Sequence, residues 1–457
     1  MTEEKSQETK LKPVLGLLDA TAINVGAIVG AGIFMVTGIA AGVAGSAMIV
    51  SMLVGSVIAL FTALSFSELT AWLPKEGSVY EFAYQLVSPF VGFLSGWMWI
   101  LSNTFAGAAV SLGFAYYFTA LFPILPTKWV AAIICIIFTA LNYIGTRKSA
   151  LLNNFLVATK IVILIFFVTF GLGYINTTNF SPFEPLQLGV LYGAYYMFFA
   201  YGGFARVAVV AEEIKDAKRN VPRAILISLL VSTVIYVLVG TVAVGLVGAP
   251  TLSTSNSPLN EAMSITGNTT GIYLISIGGL VATASVLLTQ ILGVSRVAYA
   301  MSKRRDVPQV FAKLHPKFDT PYYSIWFLGA IMALLVLFVD LTKVVAISTF
   351  ATLFYYSIAN IAALRLKGKN RLYPSIVPVL GVTTCLLLLG FIFYASPQTL
   401  DVGVAGLAIG AIYYVIAKKF QLNNKTQKSR PPKNGSEKLA PTIPILLLST
   451  SAENNEQ

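Results

Sequence analysis

Charge is scarce in this sequence. Only 11% of its 457 residues are Asp, Glu, Lys or Arg, against about a quarter in an ordinary soluble domain, while 56% are hydrophobic and the mean hydropathy is +0.77. Such a chain reads as an all-α polytopic membrane protein whose first partner is a lipid bilayer. Cysteine is nearly missing as well. Cys135 and Cys385 both fall in apolar runs, which excludes a disulfide framework and leaves two small buried hydrophobes. The single histidine, His315, lies in a charged loop and cannot alone support a metal site. No nucleophile–base pair, metal-ligand cluster or phosphate loop occurs. The expectation is therefore no enzyme, no catalytic residue, no metal, no cofactor and no ATP-driven pump.

Long apolar runs are what the chain has in quantity. They fall at about 15–41, 45–67, 88–121, 128–146, 150–174, 188–211, 223–248, 271–301, 322–340, 343–364, 375–395 and 401–418, which predicts twelve transmembrane helices. The first run is too long for a signal-peptide core and is read as retained. The net charge of +12 tracks one side of this ladder, which argues against a nucleic-acid partner. With the N-terminus inside, the inner loops carry sixteen Lys and Arg between Lys75 and Arg371, and the outer loops carry only Lys128 and Lys343. That asymmetry predicts cytoplasmic N- and C-termini in the cell membrane. Residues 1–12 read as a cytoplasmic tail, 13–420 as the membrane domain, and the polar stretch 421–457 as a disordered cytoplasmic tail. No oligomeric state is read from the pattern.

Within the first run, Gly26, Gly30 and Gly32 mark where a helix opens most easily, each costing about 1 kcal/mol relative to Ala. Opened backbone inside a membrane persists only where it faces protein, water or solute. Its freed N–H groups suit a carboxylate and its freed carbonyls a cation. Small residues also let membrane helices pack closely. A second interruption, Tyr201-Gly202-Gly203-Phe204, lies in the sixth run. Breaks in runs one and six point to a transporter built on a five-helix repeat.

Three basic residues lie inside the apolar runs: Lys160, Arg206 and Arg296. Lys160 is twelve residues beyond Lys148, roughly 18 Å into the bilayer at 1.5 Å per residue. It is either held by carbonyls and hydroxyls of the bundle or exchanges its proton. An amine protonated in one conformation and neutral in another couples proton movement to transport. Arg206 stays charged and is read as facing a substrate carboxylate or pairing with an acid such as Glu68. Arg296 is close enough to the inner boundary to snorkel. Asp19, at the start of the first run, suits a helix N-terminus.

Four stretches in order resemble the amino acid-polyamine-organocation (APC) superfamily of permeases: Gly26–Phe34, Glu68–Tyr80, Phe198–Phe204 running on to Arg223, and Ser295–Met301 running on through His315-Pro316-Lys317-Phe318 to Pro321. The resemblance implies a leucine-transporter-like fold, with 13–175 and 188–366 as 5+5 inverted repeats and 375–420 as two appended helices. It implies an amino acid substrate held by Ile28, Ala31, Gly32, Phe199, Ala200, Gly202 and Phe204. It also implies a coupling site in which Lys160, beside Gly26, Val29 and Ser285, replaces a sodium ion and makes the proton the coupling partner. Ala205 stands where many relatives carry an acid, with Arg206 directly after it. Arg206 and Asn103 are thus the candidates for specificity, with Ser102, Thr289 and Gln290 as further polar candidates. The expected pocket is lined with Ala, Gly, Val and aromatics and suits neutral, fairly apolar amino acids. The reading is a sodium-independent, proton-coupled amino acid symporter working by alternating access; its alternative is an exchanger of amino acids or amines without net proton movement.

Overall fold

The first apolar run does not form one helix. In the computed structural model, which describes residues 15–74, 77–144, 149–209, 211–368, 371–395 and 397–428, α1 (Leu17–Ile28) stops at Val29, whose backbone leaves the helical region at φ −72°, ψ 83°. The chain resumes as a π-helical stretch, Gly32–Val36, and runs into α2 (Thr37–Ala44). Asp19 sits in the first turn of α1, where its carboxylate accepts the Gly16 N–H at 2.9 Å at the positive end of the helix. The second interruption is milder. After α8 (Leu188–Tyr201) the chain tightens into a 3₁₀ turn, Gly202–Ala205, and continues as α9 (Arg206–Val209).

Between the two broken segments come α3 (Met48–Trp72), α4 (Val79–Leu86), α5 (Pro89–Leu121), α6 (Thr127–Ile144) and α7 (Ser149–Gly171). After them come α10 (Ala217–Thr254), α11 (Pro258–Ser264), α12 (Thr269–Lys303), α13 (Tyr322–Phe338), α14 (Leu341–Leu364), α15 (Ile376–Ala395) and α16 (Pro397–Lys428). Gly248, at φ 74°, ψ 160°, kinks α10 two residues before Pro250, a backbone conformation that glycine adopts without the steric cost of a Cβ. The short helices α4 and α11 lie in connections that hydropathy leaves unassigned. The last helix runs on to Lys428, past the expected end at 420. The N-terminal tail 1–12 and the stretch 429–457 fall outside the described residues. The chain forms one unit through Tyr414 and a second from Val415, whose described part is helical.

Among the described residues eight helical stretches are long and apolar enough to cross a membrane, Leu17–Trp72 counting as one, and two shorter apolar helices, Tyr322–Phe338 and Ile376–Ile392, accompany them. The protein is an all-helical multi-pass membrane protein. Among these eight stretches the most enclosed is α14. Ser348, Thr349, Thr352, Ser357 and Asn360 of α14 are accordingly buried in the bundle, while α6 is more exposed. α5 packs along both α12 and α14, and α10 packs along α1 and α3.

The ends of these helices are tied by polar contacts. Tyr80 on α4 donates to Asp306 Oδ2 at 2.7 Å. Burial first, and then the Asp306 carboxylate, push the Tyr80 hydroxyl above its ordinary range, so it remains a donor. Arg304 grips Glu81 through two bonds, 3.0 and 2.7 Å. Leu15 and the segment after α9 exchange two backbone bonds: Leu15 N–H donates to Glu213 O at 3.0 Å, and Lys215 N–H to Leu15 O at 2.9 Å. Arg296 pairs with Glu213 at 3.6 Å, so it is anchored to an acid where simple snorkelling was expected.

Candidate functional site

The two interruptions meet, and glycine allows it by close approach. A Cβ on Gly32 would lie 2.3 Å from Ala200 Cβ, and one on Gly203 would lie 2.4 Å from the Ala27 carbonyl. Neither glycine has positive φ. Their role here is to let the stretch after the first break approach α8 and the 3₁₀ turn approach α1, and the opening itself falls at Val29.

A cavity of about 60 Å³ lies where they meet. Ala27, Ile28, Ala31 and Gly32 line it from the first break, and Phe199, Ala200, Gly202, Gly203 and Arg206 from the second. The facing wall is Ser102, Asn103, Ala106 and Val110 of α5, Val286 and Gln290 of α12, and Ser348, Thr352 and Tyr355 of α14. Ala, Gly, Val and aromatic residues line the cavity as expected, and this wall adds hydroxyls and amides to them. The physical reason is rotation: α5 and α14 turn their hydroxyl-bearing faces inward, where Ser102 bonds to both the Ser348 carbonyl, at 3.0 Å, and the Thr352 hydroxyl, at 2.6 Å.

Six of the expected substrate residues, Ile28, Ala31, Gly32, Phe199, Ala200 and Gly202, thus share one cavity with Asn103 and Arg206. Phe204 is not among the lining residues; it is fully buried and packs on Phe66 and Tyr356. Thr289 also stays out, its hydroxyl turned back to the Val286 carbonyl at 3.0 Å. Glu68 does not pair with Arg206. It accepts the Leu372 N–H at 2.8 Å and lies 3.6 Å from Arg371 Nε.

Hydroxyls hold the freed carbonyls. Tyr236 on α10 reaches Ile28 O at 2.5 Å and Ala200 O at 3.1 Å, and Tyr356 donates to Gly202 O at 2.9 Å. A tyrosine has one O–H, so Tyr236 serves one carbonyl at a time and links both breaks. Tyr236, Tyr355, Tyr356, Ser348 and Thr352 were not foreseen from sequence. The available signal was Tyr236 itself, a tyrosine in an apolar run whose hydroxyl must find a partner when buried.

Lys160 on α7 is completely buried. Its Nζ donates to Gly26 O at 2.6 Å and to Ser285 Oγ at 3.0 Å, and the Ser285 hydroxyl donates in turn to Ala282 O at 2.9 Å. It makes no hydrogen bond to Val29 among the described residues. One ammonium therefore ties α7, α1 and α12 together just before the first break. Cys135 and Cys385 are buried thiols, and among the described residues no group of three or more His, Cys, Asp and Glu could hold a metal ion.

A family profile described as amino acid permease matches residues 15–417. The chain belongs to the amino acid permease family. This permease is therefore a transport protein of the APC superfamily and not an enzyme. It is 33% identical over 418 residues to an uncharacterised transporter of Mycobacterium tuberculosis (strain ATCC 25618 / H37Rv), covering 90% of this chain and 92% of that one. It is 32% identical over 450 residues to the branched-chain amino acid permease BcaP of Bacillus subtilis (92% and 96%). It is 30% identical over 450 residues to the methylthioribose transporter of the same species (92% and 97%).

Proposed function

We propose that this permease is a secondary active transporter of amino acids in the cytoplasmic membrane, sodium-independent and proton-coupled, working by alternating access. The observation that carries the reading is the meeting of the two interrupted segments at one small cavity lined by residues of both. The cavity's 60 Å³ is well below the roughly 150 Å³ that admits benzene in an engineered protein cavity. An amino acid therefore enters only when the walls part, as alternation between two open states requires. Twelve spans, with 13–175 and 188–366 as inverted repeats, 375–420 appended and both termini cytoplasmic, complete the architecture in this reading.

In this mechanism the N–H groups at Ala31 and Gly32 receive the substrate carboxylate, and the carbonyls of Ile28, Phe199, Ala200 and Gly202 receive its ammonium. Lys160, bound to Gly26 O and Ser285 Oγ, holds the first segment while protonated. Proton loss weakens that hold and lets α1 move. Two relatives at nearly equal similarity are named for a branched-chain amino acid and for methylthioribose, so the side-chain preference has to come from the cavity wall.

The test is uptake of a radiolabelled amino acid panel into proteoliposomes without sodium, with and without an inward proton gradient. Accumulation that requires the gradient is the expected result. Uptake seen only with amino acid preloaded inside, and indifferent to the gradient, would make the protein an exchanger and leave Lys160 as a fixed structural cation.

A further inference from the structure

Arg206 is the one charged side chain among the residues lining the cavity. Its guanidinium donates to Gln290 Oε1. The Gln290 amide then donates to Asn103 Oδ1 at 2.7 Å and to Asn103 O at 3.2 Å, and Asn103 Nδ2 donates to Trp99 O at 2.7 Å. This relay turns an acceptor oxygen toward the arginine but carries no charge. Arg206 Nη1 lies against Gly293, where a Cβ would sit 2.4 Å away, and has no hydrogen-bond partner among the described residues. Nor does any carboxylate among the described residues pair with it: Glu68 pairs with Arg371, Glu81 with Arg304 and Glu213 with Arg296.

Arg206 is half-buried with its Nη1 withdrawn from water, and a guanidinium so placed and given only a neutral acceptor has lost solvation without gaining a counter-charge. The zwitterionic head of an amino acid does not change that balance, because its carboxylate and ammonium cancel and both have backbone partners at the breaks. A second negative group on the ligand would. We infer that the cavity selects amino acids whose side chain is itself anionic, aspartate and glutamate being the simplest, with Arg206 as the residue that reads the side-chain carboxylate and Gln290 and Asn103 holding its guanidinium in place. Carboxylate and guanidinium match as a planar two-bond pair, and Gly293 leaves the room Arg206 needs.

This inference rests on the amino acid transport reading above, and isosteric ligand pairs separate the two. In detergent-solubilised full-length protein, binding of glutamate against glutamine, and of aspartate against asparagine, is measured by scintillation proximity at neutral pH. Each acid is expected to bind at least about tenfold more tightly than its amide, the scale of a hydrogen-bonded charge pair. In Arg206→Met the acid-to-amide ratio falls to about one, and Arg206→Lys keeps part of it. Amides binding as well as acids in the wild-type protein, or a preference that survives Arg206→Met, overturns the inference while leaving amino acid transport standing. A panel in which no amino acid of any class binds or accumulates overturns both. If Arg206→Met does not yield folded protein, the wild-type acid-to-amide ratio decides alone.

Discussion

Two cations stand beside the helix breaks, Lys160 just before the first and Arg206 just past the second, and the protein treats them differently. Lys160 is sealed from water and meets a carbonyl and a hydroxyl from two other helices. Arg206 faces the cavity, with a neutral amide for its partner. The lysine's hydrogen bonds are all supplied by the chain, so its charge serves the protein's own conformation. Neither cation has a negative partner among the described residues, and only the arginine lines the cavity, so only its charge is available to whatever enters. In a low-dielectric interior an uncompensated charge is costly, and the contrast separates a residue that holds helices together from one that reads a ligand.

The largest effect is expected from Lys160→Ala. It leaves Gly26 O and Ser285 Oγ without their donor, and uptake is expected to fall to the level of protein-free vesicles while the purified protein still elutes as a single species. Normal uptake with unchanged pH dependence would remove Lys160 from the coupling mechanism. Ser285→Ala probes the same side more gently. A hydrogen bond to a charged group is worth about 1.5–3 kcal/mol, so uptake at fixed pH should drop by about tenfold, and Ser285→Thr should recover most of it.

On the other side, Gly293→Ala places a methyl group 2.4 Å from Arg206 Nη1. That nitrogen is the end of a flexible side chain, so the guanidinium gives way before the helix does. A loss of glutamate binding of about threefold to tenfold is expected, with the thermal unfolding midpoint nearly unchanged; unaltered glutamate binding would mean that the guanidinium position does not matter. The smallest effect is reserved for Tyr236→Phe, which removes a neutral donor shared by Ile28 O and Ala200 O. The expected cost is about 1 kcal/mol of stability, read as a lowered unfolding midpoint in detergent. A change as large as that of Lys160→Ala would show that linking the two breaks matters more than either cation.

Much of the fold was legible because membrane helices announce themselves in composition. Runs such as 88–121 and 343–364 correspond to α5 and α14 within a few residues, since twenty or so apolar residues in lipid have almost no other way to satisfy their backbone. The burial of Lys160 was legible for a similar reason: a lysine many residues from the end of an apolar run cannot reach water. The glycines were only half legible. Gly32 and Gly203 suggested breakage, yet they serve the close contact of two backbones, and a sequence cannot say which partner a small residue is making room for.

The amino-acid sequence alone determined that this is a helical membrane protein with interruptions in its first and sixth apolar runs and a lysine deep within an apolar run, because hydropathy and length are properties of one segment at a time. Which side chains share the cavity was decided only in three dimensions. Turning α5, α12 or α14 about its own axis by half a turn would leave its hydropathy untouched, yet it would carry Ser102, Gln290 or Tyr355 away from Arg206 and replace a polar wall with an apolar one. Packing against neighbouring helices sets that rotation, and with it the chemistry the cavity offers to a substrate.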